Sequence, residues 1–366
     1  MEKLPEELLC CILDWVGEDF VGIAARTCWR WYRCTKEPQR KCLSARGACS
    51  NLRLLKWARE NGMHWSEEVC GFAAAHGALD VLQWAKSQGC PWDKQTCDNA
   101  AEQGHLEMLK WAREQGCPWD KWTFYQAASN GHLDVLEWAD THGCEWYEDA
   151  CYWAAQKGHI HVLEWVYSKR GYLGGHWTCA FAAGNGQLEV LKWARERGCP
   201  WSDYTCSGAA AHGHLAVLQW ARANGCPWDE NTSIQAAQHG HLQVLKWARE
   251  NGCPWGESTC DKAAERGHFE VLKWARENGC PWDEYTCSGA AASGNLEVLQ
   301  WARENGCPWD EETCACAAEN GHLHVLKWAR ENGCPWDEST HTRAEENDHV
   351  EVVQWALAHG CPSLSE

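Results

Sequence analysis

Apolar and polar positions alternate with helical spacing in two short segments of residues 283–305. Asp283 is a predicted N-cap, and the first helix extends to about Ser293, with Thr286, Cys287, Ala290 and Ala291 on one face. Gly294 predicts a left-handed helix end. The second helix starts at Leu296 and turns one apolar face inward, which comprises Leu296, Val298, Leu299 and Ala302. Trp301 falls at the edge of that face, where its ring can contact a neighbouring repeat.

The same helix pair recurs along most of the chain. The second-helix tryptophans stand 27 residues apart, except for one interval of 28: Trp57, Trp84, Trp111, Trp138, Trp165, Trp193, Trp220, Trp247, Trp274, Trp301, Trp328 and Trp355. Another Trp follows eight residues later in most repeats. One helix pair cannot bury its own apolar side, so successive pairs must stack. The sequence therefore predicts an all-α solenoid of helix-turn-helix repeats.

The repeat accounts for an unusual composition of 28 Trp and 25 Cys in 366 residues. Most of these residues fall in two Trp columns and two Cys columns, such as Cys253 and Cys260. Their abundance therefore indicates duplication and stacking, and a buried free Cys acts as a small apolar side chain.

The repeat resembles the ankyrin repeat. Residues 263–279 read AAERGHFEVLKWARENG, which matches the family's helix pair in register. Ankyrin repeats are about 33 residues long, and the shortening falls where that family builds its β-hairpin finger. The resemblance implies a solenoid with truncated β-hairpin fingers over residues 46–366, in about 11–12 repeats of 27 residues.

Residues 1–45 do not follow the repeat and carry three predicted helices. They resemble the F-box, through Leu4-Pro5 with Leu8-Leu9, Ile12-Leu13, and Cys28 with Trp31. The resemblance implies a three-helix module that docks on the Skp-type adaptor of a cullin–RING ubiquitin ligase. The residues expected at that contact are Leu4, Pro5, Leu8, Ile12, Leu13, Val16 and Trp31. The alternative is a plain helical cap that covers the first repeat.

Charge and hydropathy restrict the function classes. The formal net charge is −18, which argues against nucleic acid as a partner. No run of 18 apolar residues occurs, and the first twenty residues lack the pattern of a secretory signal. We therefore expect no membrane span, a cytoplasmic and/or nuclear location, reduced thiols and a monomer outside the ligase complex.

Candidate chemistry is sparse. The Cys columns form C-x6-C with a later His, as in Cys253, Cys260 and His268, but several repeats break the set without breaking the period. A column of His before the second helix, including His241, is interpreted as bonding turn backbone rather than as a proton relay. No nucleophile-elbow, zinc-protease or phosphate-loop motif occurs. We therefore expect no enzyme activity, no metal and no cofactor.

The repeat is least regular between residues 120 and 181. The two positions after the column Cys, small in plain repeats and expected to face outward, become large there. Exposed aromatic residues are typical interface anchors. The predicted partner-binding residues are Trp122, Tyr125, Tyr152, Trp153, Trp177 and Phe181. The alternative is that these aromatic side chains fill a local packing irregularity.

These patterns together predict a protein–protein interaction protein. The first hypothesis is a substrate-recognition adaptor of an SCF-type cullin–RING ubiquitin ligase, in which the repeat array binds an unknown protein target. The alternative is a stand-alone ankyrin-like scaffold or inhibitor whose N-terminus is only a cap.

Overall fold

The computed structural model describes residues 45–60, 63–147, 149–256 and 258–362. Within these ranges all regular structure is α-helical, in 24 helices. The chain divides into two compact units, Met1–Tyr172 (unit 1) and Leu173–Glu366 (unit 2). The adaptor-contact residues Leu4 to Trp31 and the predicted three-helix module lie outside the described residues.

The described residues of unit 1 form five helix pairs, in which odd-numbered helices come first. They are α1 (Ala45–Ala48), α2 (Leu52–Glu60), α3 (Glu67–Ala75), α4 (Leu79–Ser87), α5 (Lys94–Glu102), α6 (Leu106–Glu114), α7 (Lys121–Asn130), α8 (Leu133–Thr141), α9 (Ala150–Gln156) and α10 (Ile160–Arg170).

Unit 2 contains seven further pairs. They are α11 (His176–Gly184), α12 (Leu188–Glu196), α13 (Asp203–Ala211), α14 (Leu215–Ala223), α15 (Glu230–Gln238), α16 (Leu242–Glu250), α17 (Thr259–Glu265), α18 (Phe269–Glu277), α19 (Glu284–Ala292), α20 (Leu296–Glu304), α21 (Glu311–Glu319), α22 (Leu323–Glu331), α23 (Glu338–Glu346) and α24 (Val350–Ala358).

The helix ends follow the local signals of the sequence. The Asp283 carboxylate accepts a hydrogen bond from the Tyr285 backbone N–H at 3.0 Å and so caps α19. Gly294 adopts a φ of +72°, the left-handed conformation that lets the chain turn into α20. The predicted N-cap and helix end are both confirmed.

Stacking within each unit runs mainly through the first helices, which pack directly against the first helices of adjacent repeats. Their buried positions carry Ala, Cys, Thr and Ser, so the backbones can approach closely. A Cβ at Gly289 would stand 3.2 Å from the Asp261 carbonyl oxygen of the preceding first helix. The second helices contribute the larger apolar side chains, with Val298, Leu299 and Ala302 completely buried as predicted.

The turns between repeats contain no β-hairpin finger. No strand occurs anywhere in the described ranges, and most second helices connect to the next first helix through a short Gly-Cys-Pro-Trp type segment. The predicted all-α solenoid of shortened ankyrin-like repeats is therefore confirmed. Among the 24 described helices, none is both long enough and apolar enough to cross a bilayer.

Candidate partner-binding surfaces

The two Trp columns form a repeated structural contact. Trp228, in the turn after α14, packs edge-on against Trp247 of α16, with ring centroids 5.9 Å apart. The Arg222 guanidinium lies over the Trp228 ring at 4.1 Å and donates a hydrogen bond to the Cys226 carbonyl. The same Trp pairing recurs at Trp65–Trp84, Trp92–Trp111, Trp119–Trp138, Trp201–Trp220, Trp255–Trp274, Trp282–Trp301, Trp309–Trp328 and Trp336–Trp355. These tryptophans hold the turns in place, which explains their number without a ligand.

The Cys columns connect the two helices of one repeat through hydrogen bonds. The Cys226 thiol, just after α14, donates to the Ser202 carbonyl at the start of α13, with an Sγ–O distance of 3.5 Å. The Cys206 thiol forms a hydrogen bond with the Cys226 thiol, and this contact, with burial, raises the pKa of Cys206. A protonated buried thiol is a poor nucleophile and a poor metal ligand. The described cysteines are all free, and those of the two columns are buried.

The two cysteines of the C-x6-C spacing have different hydrogen-bond partners. Cys253 bonds the Asp229 carbonyl at 3.4 Å, whereas Cys260 forms its side-chain hydrogen bond with Cys280. Within the described ranges, no group of three or more His, Cys, Asp or Glu side chains converges in a way that could hold a metal ion.

The His column connects neighbouring repeats through the backbone. A ring nitrogen of His241 lies 3.1 Å from the Ala211 carbonyl, which ends the first helix of the preceding repeat. Burial lowers the pKa of His241, which favours the neutral ring. The ring also covers Gly213, where a Cβ would come within 2.7 Å of it. The interpretation of this column as a backbone-bonding position is confirmed.

The columns that we expected to face outward are covered. Ser207 and Ser288, the first residues after the column Cys, are buried in the stacked repeats. A Cβ at Gly208 would lie 3.4 Å from the Ala180 carbonyl. The expectation was wrong because it came from a single helical wheel, which cannot include the adjacent repeat. The outward position is instead the second residue of the first helix, occupied by exposed Trp122, Trp177, Tyr204 and Tyr285.

Unit 1 brings together three of its four predicted partner-binding residues. Trp122, which is 42% exposed, contacts Tyr125 edge-on, with a centroid separation of 5.2 Å. Tyr125 also contacts Trp153 at 5.6 Å, and Tyr147 lies 5.5 Å from Trp122. Tyr152 lies nearby in the sequence and is half-buried. Trp122, Tyr125, Tyr147 and Trp153 thus form one aromatic cluster contributed by α7, by α9 and by the turn that precedes α9.

A second group of rings lies buried in the same repeats. Phe124 stands in place of the column Cys, is completely buried and contacts Trp146, with ring centroids 4.5 Å apart. It also contacts Trp165 at 6.3 Å. Phe124 therefore serves the local packing, whereas the ring of Trp122 is partly open to solvent.

Unit 2 holds the other two predicted residues in a separate cluster. Trp177 is 41% exposed and stacks on Tyr204, which is 51% exposed, with ring centroids 5.2 Å apart and an interplanar angle of 29°. Phe181 lies 6.3 Å from Trp177, and His176 lies 4.9 Å from it. Tyr204 was absent from the predicted set. It stands 27 residues after Trp177, so the repeat column itself was the signal that could have identified it.

Two carboxyls at contacts between repeats have perturbed pKa values. Burial raises the pKa of Asp98 to about 6, and the Thr123 hydroxyl of the next repeat donates to its carboxyl at 2.6 Å. Burial likewise raises the pKa of Asp261 to about 6, with Thr286 as its donor at 2.5 Å. Each carboxyl is occupied by a contact between repeats, so the perturbation has a structural cause.

Asp98→Asn should stabilise the protein at neutral pH. Because the folded-state pKa is raised from 3.8 to about 6, the folded protein binds more protons within that window, and stability falls as pH rises through it. The amide oxygen can still accept from Thr123 without the buried charge. We expect a gain of about 1–3 kcal/mol at pH 7.5 that disappears below pH 4.

Urea unfolding followed by circular dichroism at pH 4 and 7.5 measures this difference. Asp134→Asn, at an exposed position of α8, is the control and should leave the stability within about 0.5 kcal/mol. An equal gain at both pH values would contradict a burial effect on the charge.

Two family models match different parts of the chain. The F-box domain model matches residues 1–43, and the model of ankyrin repeats (many copies) matches residues 97–139 and 233–276. The chain combines an F-box with C-terminal ankyrin repeats. No curated protein matches the sequence.

Similar solved structures include other helical repeat proteins. The human ASB11 ankyrin repeat domain is 18% identical with a TM-score of 0.37, and the match covers 43% of this chain and 84% of that one. The pentatricopeptide repeat protein PPR10 in complex with an 18-nt psaJ RNA element is 14% identical with a TM-score of 0.40, over 87% of this chain. Maize PPR10 is 13% identical with a TM-score of 0.31, over 88% of this chain. The chain spans 54% and 63% of these two PPR10 chains.

Proposed function

We propose that this F-box and ankyrin-repeat protein is the substrate-recognition subunit of an SCF-type cullin–RING ubiquitin ligase. The observation that carries the proposal is the F-box match at residues 1–43, followed directly by the repeat solenoid. F-box and ankyrin modules both serve protein interaction. The chain would supply no catalytic group, because a ligase of this kind acts by holding its target close to the ubiquitin-loaded enzyme.

The N-terminal module would bind a Skp-type adaptor. The proposed contacts are Leu4, Pro5, Leu8, Ile12, Leu13, Val16 and Trp31. Apolar side chains of this kind supply most of the free energy of a helix-in-groove contact when they are buried against a partner.

The repeats would bind a protein target through aromatic side chains, of which Trp122 and Trp177 are the most exposed. The proposed anchors are Trp122, Tyr125, Tyr152 and Trp153 in unit 1 and Trp177 and Phe181 in unit 2. Aromatic residues are enriched at the centres of protein interfaces because they combine a large apolar area with a polar edge. The net charge of −18 favours a protein target over nucleic acid. We propose that the protein works in the cytoplasm and/or nucleus and is monomeric outside the ligase complex.

Binding of the full chain to a purified Skp-type adaptor tests the first contact. We expect association at micromolar concentration or tighter in isothermal titration calorimetry. Leu8→Asp combined with Leu13→Asp should weaken binding by at least about 100-fold, since each loses the burial of a large apolar side chain.

Lys36→Ala, a change outside the proposed contact set, is the control and should leave the adaptor affinity nearly unchanged. The circular dichroism of both variants should retain the helical signal of the repeats. An unmodified full chain that fails to bind the adaptor at tens of micromolar would favour the alternative, a stand-alone scaffold or inhibitor.

A further inference from the structure

The aromatic cluster of unit 2 lies on an outward edge of the solenoid. We call His176, Trp177, Phe181 and Tyr204 the aromatic shelf. Trp177 and Tyr204 occupy the second position of α11 and α13, and their rings stack on each other across one repeat. Large aromatic faces that remain open to solvent are typical of interaction sites.

Glutamates occupy the first helical position, one residue before the column of Trp177 and Tyr204, in three later repeats of unit 2. They are Glu230 in α15, Glu284 in α19 and Glu311 in α21. In sequence, Glu257 shares this column but lies outside the described residues. Among the described residues, none forms an ion pair with these three glutamates. Arg343 of α23 is already paired with Glu312 and Glu319.

Two glutamates of this column act on the carboxyl of a neighbouring residue. Burial, and then the charges of Glu311 and Glu284, raise the pKa of Asp310 at the start of α21. A bound cation would relieve that repulsion. Carboxylates at the first position of a helix also interact well with the helix dipole, which accounts for one acid per helix but not for aromatic side chains beside them.

The geometry points to a basic, extended partner. Resting on the function proposed above, we propose that unit 2 binds an extended target segment that sets an apolar side chain on the aromatic shelf and Lys or Arg side chains on Glu230, Glu284 and Glu311. Packed helix layers lie about 8–10 Å apart, and an extended chain rises about 3.3 Å per residue. Glu284 and Glu311 lie one repeat apart, and Glu230 lies two repeats before Glu284, so the matching segment carries basic residues spaced at multiples of about three positions.

Fluorescence anisotropy with the full chain and synthetic peptides tests this surface. The first two probes carry one Trp, at the N-terminal or C-terminal end, and four Lys at every third position, separated by Ser and Gly. A third probe has the same composition with its four Lys contiguous. We expect at least one spaced peptide to bind, and to bind at least about fivefold more tightly than the contiguous peptide at 0.15 M salt.

Two sets of variants locate the contact. Trp177→Ala with Tyr204→Ala should weaken the spaced peptide at least about tenfold. Glu230→Gln, Glu284→Gln and Glu311→Gln together should weaken it at least about tenfold and reduce the salt dependence. The matched control is Glu270→Gln, Glu297→Gln and Glu351→Gln, three exposed second positions of second helices, with an expected change below about twofold.

The outcomes separate this inference from the proposed function. Equal weakening by both glutamine triples would mean that only net charge matters and would overturn the proposal, as would the absence of binding by both spaced peptides. If the peptides fail while the full chain still binds the Skp-type adaptor, the proposed function stands without this surface. Circular dichroism melts confirm that each variant retains the helical repeats.

Discussion

Gly240→Ala destabilises the protein by about 2–5 kcal/mol, one of the two largest effects that we expect from a single substitution. Gly240 has a φ of +76°, a conformation that costs an L-residue about 1–2 kcal/mol. Its added Cβ would also lie 2.8 Å from the ring of His268 in the next repeat. Forcing that ring aside adds about 1–3 kcal/mol, because its nitrogen is bonded to the Gln238 carbonyl at 3.1 Å.

Gly252→Ala is the matched control. Gly252 has a similar φ of +85°, but a Cβ there would meet no atom within 4 Å. We expect only the conformational cost of about 1–2 kcal/mol. Urea unfolding measured by circular dichroism gives both values. In a His268→Ala background the excess cost of Gly240→Ala should largely disappear, and its persistence would mean that the ring is not the obstacle.

Leu245→Ala should lower the free energy of unfolding by about 2–5 kcal/mol. Leu245 is completely buried in α16. Its column supplies the largest wholly buried side chain of most repeats, while the surrounding positions are mainly Ala, Cys and Val. Small neighbours on rigid, closely packed first helices leave little freedom to fill the cavity, so the cost should lie in the upper part of the range.

Gln243→Ala, an exposed position two residues earlier in α16, provides the comparison and should change stability by less than about 0.5 kcal/mol. The same urea titration measures both variants. Similar small losses in both would contradict a core in which the Leu column supplies most of the apolar burial.

Local features of the fold follow from the sequence because their causes are local. The Asp283 cap and the Gly294 turn depend on side chains and backbone conformations within a few residues, and both occur as predicted. The buried face of α20, from Val298 to Ala302, follows from helical spacing alone. The F-box resemblance of residues 1–43 is likewise legible in the order of their apolar residues, and the family match confirms it.

Features between repeats could be predicted only in part. Ser207 and Ser288 have polar side chains on the outer side of an isolated helix, yet both are buried once the repeats stack. The partnership of Trp177 with Tyr204 joins residues 27 positions apart, and Phe124 fills space between Trp146 and Trp165. Burial and ring geometry at these positions depend on how closely two first helices approach, which no single helical wheel contains.

The sequence by itself determined the helix pairs, their 27-residue period, their caps, their buried Leu, Val and Ala faces and the N-terminal F-box. These properties arise from residue spacing and from conformational preferences that act within one repeat. Only the tertiary structure decided which positions of the first helix remain open to solvent, and so distinguished Trp122, Trp177 and Tyr204 from covered residues such as Ser207. The physical reason is that small Ala, Gly and Cys residues let successive first helices pack closely, and this contact removes from water a face that each helix alone would expose.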